Sequence, residues 1–222
     1  MKMKSRRKWL YSLSWMLLAG SSLPAFATED KALIEQGKQM YDQNCSMCHQ
    51  PDAIGKPGFA PSLTNPEFLS LASDQFLMGT IRDGRIGTGM PPFAHLGKPQ
   101  VAGIVAFLRS HAKLPDRAAQ VEDMPSAHGD LSSGKKLYAD ICSTCHGVSG
   151  DGYLSGGTGT AIGKEGFLGK VSDGFVRETV KKGRSNTRMR GFQGADGLAN
   201  LSDREIDDVI VYLRSLSQKQ GG

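Results

Sequence analysis

The 222 residues leave room for one large domain or two small ones. The formal net charge of +5 and the pI of about 9.0 come from the N-terminus: Lys2, Lys4, Arg6, Arg7 and Lys8 lie in the first 27 residues, which hold no acid. The remaining 22 Lys and Arg balance 22 Asp and Glu, so charge gives no argument for nucleic-acid binding.

In chain order, the first element is that basic N-terminus, followed by an apolar run from Trp9 to about Leu18 and by Ala25-Phe26-Ala27. Basic residues, a short apolar core and an A-x-A site read as a secretory signal peptide over residues 1–27. The apolar run falls short of the roughly 20 residues that span a bilayer. The expectation is a cleaved, exported chain, periplasmic, with no transmembrane span left.

Residues 30–43 carry Leu33, Ile34, Met40 and Tyr41 at helical spacing and lead into Cys45, Cys48 and His49. The same motif returns as Cys142, Cys145 and His146. C-x-x-C-H is an attachment signature for c-type haem: two thiols reach two vinyl groups and the next histidine meets the iron. Four cysteines could instead form a zinc site, which leaves both histidines idle, or a thioredoxin-like pair, which needs a βαβ pattern.

The surrounding blocks repeat too. Residues 37–45 match 134–142, residues 73–85 match 172–184, and residues 107–110 match 212–215. The offsets are 97, 99 and 105, which reads as a duplicated module. Ser73 and Ser172 are expected to cap helices that Gly84 and Gly183 stop. Val101, Ile104, Val105 and Leu108 predict a third helix; Ile206, Val209, Ile210 and Leu213 predict its counterpart. Met40 and Met78 read as core. The predicted units are residues 28–115, a proline-bearing linker over 116–129, and residues 130–222, with no strands. Neither unit has apolar mass to spare, so each is expected to fold around its haem.

These motifs resemble two tandem class I cytochrome c domains. The resemblance covers nearly all of the chain after residue 27. It implies an all-α fold with three main helices per domain and long loops wrapped around a covalent haem, two haems c in all. It implies that Gly37 and Tyr41 cross Phe107 and Leu108, and that Gly134 and Tyr138 meet Tyr212 and Leu213. It implies that Pro61 offers its carbonyl to His49 and that Leu63 packs on the haem. The second domain departs from the pattern. No proline follows Pro125, and the loop at 147–169 is glycine-rich, which reads as a flexible wrap. The carbonyl that orients His146 is left open.

A class I cytochrome also needs a sixth iron ligand. Met90 follows His49 by 41 residues, Met189 follows His146 by 43, and the two methionines differ by the same offset of 99. Thioether sulfur raises the potential of such an iron. His95 is the rival to Met90.

The resemblance implies single-electron transfer rather than catalysis, because two methionines close both irons. A free carrier is the first expectation. A haem subunit of a respiratory or dehydrogenase complex is the second, since tandem di-haem cytochromes resembling this one also occur in cbb-type oxidases. An enzyme such as a di-haem peroxidase or thiosulfate dehydrogenase is the third, although all four cysteines are already spent on attachment. The expected partners are redox proteins, a membrane respiratory complex or a periplasmic dehydrogenase. Residues 177–190 carry Arg177, Lys181, Lys182, Arg184, Arg188 and Arg190 against Glu178. They are expected to form an exposed basic edge facing an acidic partner.

Overall fold

The computed structural model describes residues 25–218. The export segment at 1–27 lies outside the described residues, apart from Ala25–Ala27 at the start of the first helix.

The first domain holds α1 (Ala25–Asn44), α2 (Ser46–His49), α3 (Pro66–Leu71), α4 (Asp74–Asp83) and α5 (Lys98–Arg109). After α6 (Ala118–Glu122), the second holds α7 (Leu131–Leu137), α8 (Ser143–His146), α9 (Glu165–Leu168), α10 (Asp173–Lys182) and α11 (Asp203–Gln218). A π-helical turn, Tyr138–Cys142, joins α7 to α8. Among the described residues there is no strand, only the isolated bridges Lys56–Ala60 and Gly183–Arg190.

The helix boundaries follow local chemistry. Ser73 accepts the Phe76 N–H and Ser172 accepts the Phe175 N–H, so α4 and α10 start alike. Both helices end at a glycine of positive φ, Gly84 at 66° and Gly183 at 71°.

In each domain the first helix crosses the last. A Cβ on Gly37 would lie 1.8 Å from the carbonyl oxygen of Gly103, and one on Gly134 would lie 1.9 Å from that of Asp208. Only glycine lets these backbones touch. Gly37 thus meets Gly103, while Tyr41 makes the contact with Phe107, ring centroids 5.1 Å apart. Tyr138 repeats it against Tyr212 at 5.2 Å.

A second tie is duplicated. Arg109 donates to Asp74 and to the carbonyls of Leu69 and Ala72, and Arg214 donates to Asp173 and to the carbonyls of Leu168 and Val171. Each arginine fastens its last helix to the turn before the methionine-side helix.

Segment 116–129, expected as a plain linker, is a wedge. Val121 of α6 is fully buried, and the Arg117 N–H donates to Ser70 O at 2.7 Å. Ser172 Oγ donates to Val121 O at 3.0 Å, so α6 binds both domains. Met78, expected in the core, is 37% exposed, whereas Met40 packs against the core.

The domains meet through residues that are equivalent in the repeat. Phe76 and Phe175 place their centroids 5.8 Å apart. Phe68 meets Phe76 edge-on at 6.2 Å, and Phe167 meets Phe175 at 6.1 Å. The boundary is therefore an approximate two-fold, an isologous contact within one chain. Lys170–Asp83 at 2.5 Å adds an ion pair across it, and Arg117 of the wedge pairs with Glu178 of the second domain at 2.9 Å.

Candidate haem sites

Each attachment motif is a single helical turn. The His49 N–H donates to Cys45 O at 2.9 Å, which closes one helical turn across the motif. The tyrosine before each motif pins the residue after it: Tyr41 Oη donates to Gln50 O and Tyr138 Oη donates to Gly147 O, both at 2.7 Å. All four cysteines are free and partly buried. Among the described residues no three His, Cys, Asp or Glu side chains cluster as a metal site, so the four-cysteine zinc alternative has no geometry. Burial pushes the Cys45 and Cys142 thiols up to about 11. That is the opposite of a reactive redox pair.

His49 Nδ1 lies 2.9 Å from Pro61 O and His146 Nδ1 lies 2.8 Å from Thr160 O. A carbonyl only accepts, so each Nδ1 carries the proton and each Nε2 keeps a lone pair free for a metal. Burial is the main force lowering both imidazole pKa values, which favours the neutral form that ligation needs. The Pro61 carbonyl stands as the resemblance implied, and Leu63 is half-buried against the core.

Thr160 supplies the carbonyl that the sequence left open. It lies 99 positions after Pro61, the offset already shared by the helix caps and the methionines, so the repeat itself pointed to it. The glycine-rich loop is packed rather than flexible. A Cβ on Gly159 would lie 2.7 Å from the His146 ring, and one on Gly157 would lie 2.3 Å from Cys145 O. Gly159 N–H donates to Cys145 O at 2.8 Å, and the Ile162 and Gly163 N–H groups both donate to Gly150 O at 3.0 Å. Glycines here let backbone lie flat against the motif where the first domain uses Pro61.

The two methionine loops share one hairpin. Arg85 N–H donates to Met90 O at 3.0 Å, Thr88 Oγ1 donates to Arg85 O, and Met90 N–H donates to Thr88 Oγ1 at 3.2 Å. Arg184, Thr187 and Met189 repeat all three bonds. The signal is R-x-x-T-x-M, present at 85–90 and 184–189, with the threonines as residues that sequence reasoning missed. Both methionines are half-buried, Met189 against the core; His95 is exposed.

The basic edge differs from expectation. Arg177 is buried on Asp207 at 2.8 Å. Lys181 pairs with Asp203 at 2.9 Å, and Arg184 turns inward over Phe68 and Phe175. Only Lys182, Arg188 and Arg190 of the six are exposed. Cations on an amphipathic helix beside an acidic one find partners before they reach solvent.

Two family models match. One described as cytochrome c oxidase, cbb3-type, subunit III covers residues 32–108. One described as cytochrome c covers residues 131–217. The chain is 29% identical over 201 residues to the cbb3-type cytochrome c oxidase subunit CcoP of Rubrivivax gelatinosus, covering 89% of this chain and 59% of that protein. It is 26% identical to subunit FixP of Bradyrhizobium diazoefficiens, covering 90% and 68%. It is 28% identical to the cytochrome bc1 complex cytochrome c subunit of Mycobacterium leprae, covering 88% and 66%. The chain thus spans about 59–68% of the length of these three relatives. A chain of the Kuenenia stuttgartiensis reducing HAO-like protein complex shares the fold at a TM-score of 0.51 and 24% identity, over 83% of this chain and 96% of that one. With two matching domain families, a helical fold and the duplicated C-x-x-C-H sites, the chain is a tandem di-haem cytochrome c, two c-type cytochrome domains that each carry one covalently bound haem.

Proposed function

We propose that this chain passes single electrons as the haem-bearing part of a respiratory complex, on the periplasmic side of the membrane after export. Cys45 and Cys48 hold one haem by thioether bonds, and Cys142 and Cys145 hold the other. His49 and His146 are the proximal iron ligands, with Met90 and Met189 completing the irons. The haem supplies a one-electron iron couple. The residues of the chain do the rest: Pro61 and Thr160 fix the histidine tautomers, and Thr88 and Thr187 hold the methionine loops in register.

One observation carries the reading. The same set of a carbonyl-held histidine, a C-x-x-C turn and a threonine-pinned methionine loop is built twice. A methionine on each iron leaves no open position for substrate, which favours relay over catalysis. Placement in a respiratory complex rests on the oxidase and bc1 subunits among the relatives. No described helix is long and apolar enough to cross a membrane, so attachment would come through partner subunits or the N-terminal segment.

The test is purification of the tagged protein from native membranes. A haem-stained band migrating with an oxidase or bc-type complex supports the proposal. Recovery wholly in the soluble fraction would replace it with a free carrier. Intact mass of the same sample should show a chain starting after Ala27 and carrying two haems.

A further inference from the structure

The Met189 hairpin is held from outside its own domain. Ser185 lies inside the hairpin that Arg184 and Met189 close. It is exposed, yet side chains of the first domain take both of its backbone groups. Its N–H donates to Glu67 Oε2 at 3.0 Å, and its hydroxyl donates to the same oxygen at 3.0 Å. Its carbonyl accepts from Asn65 Nδ2 at 3.0 Å. Asn65 is buried, and its Oδ1 accepts the Phe68 N–H at 2.9 Å, so the amide is fixed at both ends. Two side chains thus grip one residue of the other domain much as a paired strand would.

The repeat does not return the grip. Ile86 stands where the second domain has Ser185, and Lys164 and Gly166 stand where the first has Asn65 and Glu67, all at the offset of 99. Gly166 has no side chain to accept a bond. It meets the Met90 hairpin by backbone packing, where a Cβ would lie 2.6 Å from Ile86 N. Lys164 is paired with Asp151 of its own domain at 2.5 Å. The hydrogen bond across the boundary on this side comes from a side chain, Arg85 Nη2 to Ala161 O at 2.8 Å. Among the described residues, no side chain of the second domain bonds to the backbone of the Met90 hairpin.

The next residue widens the difference. Asn186 holds φ at 57°, in the left-handed region, where the first hairpin has Gly87 at 77°. Glycine adopts that conformation freely and asparagine at some cost. The Met189 hairpin is therefore the one that needs an external hold.

We propose that Asn65 and Glu67 are positioning residues for Met189: the first domain holds the ligand hairpin of the second through Ser185, and the second does not do the same for Met90. The inference rests on Met189 as the sixth ligand of the second iron and not on the identity of the redox partner. Its consequence is one-way coupling. Loosening the domain boundary frees Met189 while Met90 stays in place.

The experiment is imidazole titration of the oxidised di-haem protein, followed by low-temperature EPR. Imidazole binds an iron only where the methionine has moved off, so its apparent affinity at each haem reads the open fraction of that hairpin. Met189→Ala identifies the signal of the second haem. Glu67→Ala removes the acceptor for Ser185, and Asn65→Asp keeps the α3 cap while replacing the donor to Ser185 O with an acceptor. Each should lower the half-saturating imidazole concentration about fivefold at the second haem and leave the first unchanged. Glu67→Gln keeps an acceptor for the Ser185 N–H and should stay near the wild type. A lower melting temperature with wild-type imidazole affinity at the second haem would overturn the proposal and leave Asn65 and Glu67 as ties between domains. An equal shift at both haems is general loosening and would overturn it too. If Met189→Ala alters neither signal, the ligand assignment falls and the proposal falls with it. A clear effect of Met189→Ala beside inert Glu67→Ala and Asn65→Asp sinks the positioning role alone. If one of these two variants does not accumulate with both haems, the other decides.

Discussion

Phe76 and Phe175 stand 99 positions apart in the chain, occupy the same place in the repeat, and meet with ring centroids 5.8 Å apart. A contact between equivalent residues lies on the two-fold axis of the pair. Their tilted contact is therefore the centre of the domain boundary, flanked by Phe68 and Phe167. Phe175→Ala removes a buried ring and should cost about 3 kcal/mol. Differential scanning calorimetry of the di-haem protein should show one transition in the wild type and two in the variant, as the domains lose their coupling.

The helix crossings should tolerate no side chain. Gly37→Ala and Gly134→Ala drive a methyl into a backbone carbonyl, so each should lose about 3 kcal/mol or more, by forcing the helices apart. Gly79→Ala is the contrast, since its nearest neighbour is Lys170 Nζ at 3.8 Å. It sits inside α4 and should gain about 0.5–1 kcal/mol. Denaturant midpoints of the three proteins check the signs.

Gly159→Ala should act on one haem alone. The added Cβ would meet the His146 ring at 2.7 Å and push it off the Thr160 carbonyl. The second haem should lose low-spin character while the first keeps its spectrum. Low-temperature EPR of the oxidised protein resolves the two signals.

Methionine ligation predicts a weak long-wavelength sulfur-to-iron charge-transfer band. Its amplitude should halve in Met90→Ala and, separately, in Met189→Ala. Thr88→Val and Thr187→Val remove the hydroxyl that accepts the methionine N–H, and each should loosen its loop by about 1 kcal/mol. The band should then fade at a lower temperature than in the wild type. A band that survives either alanine variant unchanged reassigns that ligand.

Acid should open the boundary. Burial works to raise the Glu67 pKa, but its own N–H and the Ser185 donors outweigh that and hold it below the usual range. Hydrogen bonds from Arg82 and then Lys170 hold Asp83 lower still. A carboxylate whose folded pKa is depressed adds stability above its unfolded pKa of roughly 4 and loses it as pH falls below that value. Melting temperature should hold from pH 7 to about 5 and fall below about 4. The fall should be shallower in Glu67→Gln, measured on the same di-haem protein.

The sequence by itself determined the two modules, their order, the cysteines and histidines, and the methionine loops, because these depend on short-range spacing. C-x-x-C-H needs one helical turn, and Ser73, Gly84 and their counterparts act on bonds within four residues. The repeat offset reaches the site as well: applied to Pro61 it lands on Thr160, and applied to Thr88 it lands on Thr187. Only the tertiary structure decided what the domain boundary holds. Arg184 and Arg177 read as part of a solvated basic edge, yet both turn inward, because the second domain packs its methionine side against the first and against α11. α6 read as a linker, yet it buries Val121 between the domains. Burial of a cation or an apolar residue in a short segment depends on what arrives from tens of residues away. Local periodicity carries no record of that arrival.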